Sequence, residues 1–145
     1  MARTTEENLC SSNTDENPNP GSCLLSRRIL IVEDDDRGAM LLQDYLQVIG
    51  YQVEHLAEGK SFLDRVRRFQ PTLILLDVQL IDGVTGWDLL LCLRQEPDLQ
   101  KLPVVIVTAI AMAGDRERFL EAGANEYLSK PIGITQLESV LMRYL

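Results

Sequence analysis

Histidine and cysteine are scarce in this chain, and their scarcity limits the metal and nucleophile chemistry that it can carry. The 145 residues include one histidine, His55, and three cysteines, Cys10, Cys23 and Cys92. One histidine cannot build a zinc cluster, and the cysteines lack the spacing of a metal site. No serine elbow or Cys–His pattern accompanies them. An odd set of cysteines without metal spacing is typical of free thiols in a reducing cytoplasm.

Positive charge and long apolar segments are also lacking. The formal net charge is −8, whereas proteins that bind nucleic acid or anionic membranes need basic patches. The apolar runs are about four to six residues long, far below the roughly 20 residues of a membrane span. No basic segment followed by an apolar core opens the chain, so we predict no signal peptide. The sequence therefore predicts a cytoplasmic protein that contacts neither nucleic acid nor membrane.

The chain divides at about residue 27. Residues 1–26 are rich in Ser, Thr, Asn, Glu and Pro without periodicity, a composition that predicts a flexible polar tail. The remaining segment, 27–145, has the length of one domain. A hydrophobic content of 46% is sufficient for one packed core.

Short apolar runs and helical spacings alternate along the domain. The runs at 29–32, 73–76 and 104–107 are unbroken, as in strands buried on both faces of a parallel sheet. The segment 51–56 alternates as an edge strand does, and 126–129 is a weaker strand candidate. Helical patterns cover the segments between and after them: 37–49, 58–69, 87–94, 115–122 and 134–145.

The first helical pattern illustrates the signal. It is carried by Met40, Leu41, Tyr45, Val48 and Ile49, and Gly50 follows as a terminating glycine. Five strand–helix repeats predict an α/β doubly wound sheet with right-handed crossovers. In such sheets the ligand site lies at the carboxyl ends of the strands, where the strand order reverses.

Polar residues follow four of the five strands. Acidic residues occupy 33–36, Asp77 follows the third strand, Thr108 the fourth and Lys130 the fifth. Crowded carboxylates need a cation, and Mg²⁺ is held by carboxylates, waters and phosphate oxygens. Aspartate is an established covalent phosphoryl acceptor. The set therefore predicts metal-assisted phosphoryl transfer to Asp77, with the Thr108 hydroxyl and the Lys130 ammonium neutralising the phosphoryl group.

Each of these residues alone has a structural explanation. An acidic run before a helix is usually an N-cap and a partner of the helix dipole. A threonine at a strand end is commonly structural, and a Lys-Pro pair commonly forms a turn. The functional interpretation depends on finding all four groups, each at a strand end and in this order.

As a set, the segments "ILIVEDD", "LILLDVQL", "PVVIVTA" and "YLSKP" resemble the receiver domain of response regulators in bacterial two-component signalling. The resemblance runs from about Arg28 to Leu145. It implies a flavodoxin-like (βα)5 fold, a three-layer sandwich whose five-stranded parallel sheet has the order 2-1-3-4-5. It also implies that Asp77 is the phosphoryl acceptor and that Glu33, Asp34 and Asp77 hold Mg²⁺, or Mn²⁺ in its place. Gln79 would add its backbone carbonyl to the metal.

The same resemblance assigns the remaining site residues. Thr108 matches the hydroxyl that moves onto the phosphoryl group, and Lys130 matches the bridging cation. Ala109 occupies a position where the family favours a small residue. Tyr127 matches the switch aromatic, and the Lys130–Pro131 bond is a candidate for the cis form.

Two features depart from the family pattern. Asp35 and Asp36 are additional acids, which we interpret as the start of the first helix. Ile81 stands where the family usually has proline, and the expected glycine comes one residue late, at Gly86. The segment 80–86 is therefore predicted to contain a one-residue insertion that alters the loop beside the site.

The resemblance implies a single-domain response regulator that catalyses its own phosphorylation and autodephosphorylation. The donor would be a histidine kinase or a phosphotransfer protein, because His55 lies outside the motifs. The chain ends directly after the fifth helix, so we expect its output to be protein contact through the fourth helix, fifth strand and fifth helix. The same face could form a weak homodimer of an otherwise monomeric protein; Arg116, Arg118 and Glu121 are either pairing charges there or a solvated surface. The alternative is a relay intermediate, or the receiver of a hybrid kinase, that passes the group to a histidine.

Three other functions compete with this one. A dehalogenase-type phosphatase needs a second aspartate two residues after the nucleophile, where this chain has Gln79. A nucleotide- or flavin-binding domain needs a glycine-rich loop after the first strand, where this chain has the acids at 33–36. A receiver that serves only as a docking module would not need the complete acceptor site.

Overall fold

Strands and helices alternate through the part of the chain that the computed structural model describes, residues 27–79, 83–109 and 112–145. The predicted tail over 1–26 lies outside it. The strands are β1 (Arg28–Val32), β2 (Gln52–Leu56), β3 (Leu73–Asp77), β4 (Val104–Thr108) and β5 (Glu126–Ser129). The helices are α1 (Asp36–Val48), α2 (Phe62–Phe69), α3 (Gly86–Gln95), α4 (Asp115–Glu121) and α5 (Ile134–Tyr144), with a 3₁₀ turn at Pro97–Leu99.

The five strands form one parallel sheet in the order β2-β1-β3-β4-β5. This is the predicted flavodoxin-like topology, and the prediction is confirmed. Because every strand runs the same way, all the carboxyl ends meet at one edge of the sheet. The strand order reverses between β1 and β3, where Val32 pairs with Leu76, so the ligand crevice of a doubly wound fold opens there.

Both faces of the sheet are covered, which explains the unbroken apolar runs in the sequence. In β1, Leu30 and Val32 pack into a core with side chains of α2, α3 and α4. Ile29 and Ile31 face the opposite way and pack with side chains of α1 and α5. All four are buried. A strand with helices on both sides has no solvent face on which polar residues could alternate.

Helix α1 begins and ends as the sequence predicts, but its apolar pattern does not mark its buried face. The Asp35 side chain accepts the Arg37 N–H at the N-cap, and Gly50 has a φ of 111° beyond the last turn. Met40, Leu41 and Val48 are 58%, 75% and 84% exposed. The buried residues of the helix are Ala39 and Leu46, and α1 therefore presents an apolar surface outward.

Helix α2 is shorter than the predicted 58–69. It begins at Phe62, and the Phe62 N–H donates to the Gly59 carbonyl oxygen at 3.2 Å. This turn occupies the segment that the sequence assigned to the first helical residues. Of the cysteines, Cys92 is exposed as a free thiol. No helix within the described ranges is long and apolar enough to cross a membrane.

Helix α3 starts directly against the end of β3, and Gly86 makes that approach possible. Thr85 and Asp88 form a capping box, in which each side chain accepts the other residue's N–H at 3.2 Å. The Gly86 N–H donates to the Val78 carbonyl oxygen at 2.7 Å. A Cβ at position 86 would lie 2.4 Å from the Asp77 carbonyl oxygen and 2.9 Å from the Val78 Cα. The glycine that comes one residue late in the sequence thus lies against the backbone of Asp77 and Val78. Residues 80–82, within the segment predicted to contain the insertion, lie outside the described ranges.

Replacing Gly86 with alanine is therefore expected to lower the free energy of unfolding by about 1–3 kcal/mol, the usual cost of overpacking. The matched control is Gly38→Ala in the first turn of α1, where the new Cβ would meet the Asp35 carboxylate at an ordinary 3.4 Å. That change should raise stability by up to about 1 kcal/mol through helix propensity. Urea denaturation of both variants checks the pair, and equal effects of the two substitutions would contradict the close approach at Gly86.

Candidate functional site

An ammonium group lies between two carboxylates at the carboxyl edge of the sheet. Lys130 Nζ is 2.5 Å from Glu33 Oε1 and 3.3 Å from Asp77 Oδ2. Both carboxylate side chains are 10% exposed, and the lysine side chain is 28% exposed. Lys130 is 97 residues from Glu33 in sequence, and the parallel sheet brings the two together. Three of the predicted site residues, Glu33, Asp77 and Lys130, therefore lie in contact.

The electrostatics of this cluster follow from burial and from the like charges. The pKa of Glu33 is raised to about 7, because burial and the neighbouring Asp77 raise it by more than Lys130 lowers it. Burial alone would lower the pKa of Lys130, but the hydrogen bond to Glu33 and the charge of Asp77 outweigh that effect and raise it. Lys130 therefore stays charged, and the two carboxylates remain incompletely compensated by one ammonium.

Backbone hydrogen bonds hold each site residue in place. The Glu33 N–H donates to the Leu56 carbonyl oxygen at 3.0 Å, and the Lys130 N–H donates to the Thr108 carbonyl oxygen at 2.8 Å. Asp77 Oδ1 accepts the Gln79 N–H at 3.4 Å. Thr108 is 1% exposed at the end of β4, and Ala109 after it is exposed.

The Lys130–Pro131 bond is cis. The prediction that this bond is a candidate for the cis form is confirmed.

The three carboxylates predicted to hold a metal form one oxygen cluster. Glu33, Asp34 and Asp77 each offer an oxygen, and these oxygens lie within 4.8 Å of one another. Opposite ligands of an octahedral Mg²⁺ are about 4.2 Å apart, since each bond is close to 2.1 Å. A donor set of carboxylate oxygens at this spacing fits a small hard cation with little movement.

His55 contacts the site although no motif pointed to it. Its Nε2 lies 2.6 Å from the Glu33 carbonyl oxygen, and because a carbonyl only accepts, Nε2 carries the proton. The strand pairing places His55 beside Ile31 of β1, so its side chain reaches Glu33, the residue that follows the strand. Only the register of β2 against β1, which the sequence does not specify, could have identified this contact.

Tyr127 belongs to a row of three aromatic rings. Its ring centroid is 5.6 Å from that of Phe119, which meets Trp87 edge to face at 5.2 Å. Tyr127 is 7% exposed, and its hydroxyl has no hydrogen-bond partner among the described residues. Burial raises the pKa of that hydroxyl, and the charge of Asp115 raises it further. At the surface end, the Arg118 guanidinium lies 5.0 Å above the Trp87 ring and pairs with Asp115.

The site opens onto an apolar cavity between α1 and α5. The cavity has a volume of about 670 Å³, with Glu33, Asp77 and Lys130 in its wall. Its apolar wall includes Leu41 and Ile134, which are 75% and 61% exposed. Apolar side chains therefore line one approach to the carboxylates.

Removing the Lys130 charge tests directly whether this ammonium stabilises the buried carboxylates of Glu33 and Asp77. We expect Lys130→Met to lower the free energy of unfolding by about 2 kcal/mol in metal-free buffer, because hydrogen bonds to two buried charges are lost. Lys101→Met, at an exposed position, is the control and should leave stability nearly unchanged. Thermal and urea denaturation measure both, and a Lys130 variant as stable as the control would contradict the assigned ion pairs.

Comparisons with known proteins agree with this geometry. The family model of the response regulator receiver domain matches residues 29–142. The polar-differentiation response regulator DivK of Brucella ovis is 35% identical over 121 residues, which cover 83% of this chain and 98% of that protein.

Solved structures show the same fold. The BeF₃-activated N-terminal receiver domain of Klebsiella pneumoniae RstA superposes with a TM-score of 0.75 at 28% identity, covering 81% of this chain and 97% of that one. The receiver domain of the Pseudomonas aeruginosa sensor histidine kinase PA1611, solved with a magnesium ion coordinated in the active site cleft, gives 0.72 at 31% identity, covering 81% and 96%. With the sheet order, the acidic edge and these matches in agreement, the chain belongs to the response-regulator receiver domain family of two-component signalling.

Proposed function

We propose that the chain accepts a phosphoryl group on Asp77 and so acts as a phosphorylation-controlled switch. The observation that carries the proposal is the Lys130 ammonium between the Glu33 and Asp77 carboxylates. A structural ion pair needs one acid for each base. Here one lysine contacts two carboxylates, and a third carboxylate, that of Asp34, lies in the same oxygen cluster. The excess negative charge suits a site that takes up a metal ion and a phosphoryl group together.

The transfer needs no other nucleophile. An Asp77 carboxylate oxygen attacks the phosphorus of a phosphohistidine, the O–P bond forms as the N–P bond breaks, and the imidazole leaves with the electron pair. Lys130 exchanges its contact with Asp77 for one with the phosphoryl oxygens, and the Thr108 hydroxyl donates to the same group.

Glu33, Asp34, Asp77 and the Gln79 carbonyl are the groups that would hold Mg²⁺. When bound, Mg²⁺ neutralises the charge that develops on the phosphoryl oxygens. The geometric support for this assignment is that oxygens of the three carboxylates lie within 4.8 Å of one another. Mn²⁺ has similar ligand preferences and is the expected substitute.

The switch passes from the site to the face formed by α4, β5 and α5. Movement of Thr108 toward the phosphoryl group frees space beside the end of β4, next to Tyr127 of β5. Because Tyr127 packs on Phe119 of α4, a shift of its ring repacks that helix. A local change of charge thus alters a surface that a partner protein can read.

The donor that we propose is a cytoplasmic histidine kinase or phosphotransfer protein. The apolar rim with Leu41 and Ile134 favours a protein donor, since a free small donor would not need it. The DivK relative is a response regulator, which favours a single-domain regulator here.

The alternative is a relay member or a hybrid-kinase receiver. It is favoured by likeness to the receiver domain of a signal transduction histidine kinase from Syntrophus aciditrophicus, at 34% identity and a TM-score of 0.74 over 83% of this chain and 90% of that one. Onward transfer to an added histidine phosphotransfer protein distinguishes the two functions.

Intact mass spectrometry after incubation with Mg²⁺ and acetyl phosphate tests the acceptor. We expect a labile gain of one phosphoryl group that disappears with EDTA and with Asp77→Asn, because the first removes the metal and the second the nucleophile. Asp64→Asn, an exposed acid in α2, is the matched control and should keep the gain. An unmodified wild-type chain, tested with both acetyl phosphate and a phosphorylated histidine protein, would contradict the proposal.

Trp87 fluorescence tests the switch. Phosphorylation should change the Trp87 emission, because its ring packs on Phe119 and Phe119 on Tyr127. The change should vanish in Asp77→Asn and shrink at least about twofold in Phe119→Leu, which breaks the aromatic row while keeping an apolar side chain. An unchanged response in Phe119→Leu would show that the signal bypasses this row.

A further inference from the structure

A second cavity lies at the opposite end of the sheet from the acidic site. Its volume is about 610 Å³, and we call it the arginine pocket. Its wall includes Arg28, Gln52, Arg65, Arg68, Phe69 and Gln70. Arg28 and Gln52 are the first residues of β1 and β2, so the length of a five-residue strand, about 16 Å, separates the pocket from Glu33. Phosphoryl chemistry at Asp77 does not use it.

Positive charge is concentrated here in a chain whose net charge is −8. Three guanidinium groups face one carboxylate, that of Glu54, which pairs with Arg65 at 3.2 Å. Arg28 and Arg68 form no ion pair with any residue of 27–79, 83–109 or 112–145. Two guanidinium groups of the pocket are thus available to an anion.

The helix dipole explains only part of the concentration of positive charge at the arginine pocket. Basic residues in the last turn of a helix are stabilised by its partial negative charge, and Arg67 and Arg68 end α2 in this way. Arg67, however, pairs with Glu96 at 2.5 Å and does not line the pocket. Arg28 is on a strand, where no helix dipole favours a cation. The helix dipole therefore leaves the position of Arg28 unexplained.

Gln70 supplies an independent observation at the same wall. Its φ of 55° makes it the one non-glycine residue with positive φ within the described ranges. The Gln70 N–H donates to the Val66 carbonyl oxygen at 2.8 Å and closes α2, a position that glycine or asparagine fills with less strain. Glutamine at this position places an amide side chain at the pocket although its backbone conformation is strained. Strained residues of this kind are often found at functional sites.

From these features we propose that the arginine pocket binds a phosphate-bearing small molecule of nucleotide size. Guanidinium groups bind phosphate oxygens through paired hydrogen bonds. The Gln52 and Gln70 amides both donate and accept, as the edge of a nucleobase requires, and Phe69 adds an aromatic surface. The cavity lies within the roughly 300–1,000 Å³ of small-molecule sites. A long polyanion is disfavoured, because the rest of the acidic chain would repel it.

Amide chemical shifts of the full chain, recorded by NMR during titration in EDTA, test the proposal. The probes are inorganic phosphate, AMP, ADP and a short polyglutamate peptide. EDTA removes metal from the acidic site. Phosphate that binds beside Lys130 would shift amides near Asp77, whereas phosphate in the arginine pocket would shift amides near Arg28. We expect saturable shifts at Arg28, Gln52 and Gln70 with AMP and ADP, and weaker binding of inorganic phosphate.

Four variants separate binding from folding. Arg28→Gln and Arg68→Gln should each weaken ADP binding about tenfold, which corresponds to about 1.4 kcal/mol. Arg143→Gln, which removes the same charge beside Glu126 at the other edge of the sheet, should change it less than about twofold. Gln70→Gly should raise the thermal midpoint and weaken ADP binding, since it relieves strain and removes the amide.

Five results would overturn the proposal. The first four are an absence of shifts at millimolar AMP and ADP, shifts confined to the surroundings of Asp77, equal affinities in the three arginine variants, and binding of the polyglutamate peptide alone. Binding of the peptide alone would assign the pocket to an acidic protein partner. Binding of inorganic phosphate as tight as that of ADP would remove the nucleotide-size assignment and overturn the proposal in its stated form.

Discussion

The contact of one ammonium with two buried carboxylates is the constraint around which this structure is arranged. Glu33 and Asp77 end neighbouring parallel strands, and without a cation their charges would repel one another across the crevice. Lys130, at the end of β5, reaches both. The charge balance is incomplete, and burial together with the nearby Asp77 raises the pKa of Glu33 to about 7. The partial compensation by Lys130 lets the protein fold with these carboxylates buried. The remaining negative charge favours binding of a metal ion together with a phosphoryl group.

The hydrophobic sheet holds these charges in register. The strands β1, β3 and β4 are buried on both faces, so a shift of one residue would move each side chain to the core on the opposite face and displace the terminal acids. Gly86 lets α3 begin against the Asp77 backbone, and His55 fixes the Glu33 carbonyl. Positional accuracy at the site therefore comes from ordinary core packing, and the reactive groups themselves stay near the sheet edge.

Much of this organisation could be predicted from the sequence because it depends on local patterns. Unbroken apolar runs identify buried parallel strands, and an acid, a hydroxyl and an ammonium after successive strands meet wherever those strands are parallel. The outward face of α1 could not be predicted, since Met40 and Leu41 have the spacing of a core helix yet lie exposed. Contacts such as that of His55 and the gathering of Arg28 with Arg68 depend on strand register and helix placement, which are properties of the whole fold.

Locating the modified residue tests the central claim most directly. Borohydride reduction of the phosphorylated chain converts an aspartyl phosphate to homoserine, and tandem mass spectrometry of its peptides identifies the position. The account predicts homoserine at position 77 alone, because Asp77 is the carboxylate that ends β3 beside Lys130. Reduction at Asp34, Asp35 or Asp36 instead would contradict it, since those acids are assigned to the metal and to the start of α1.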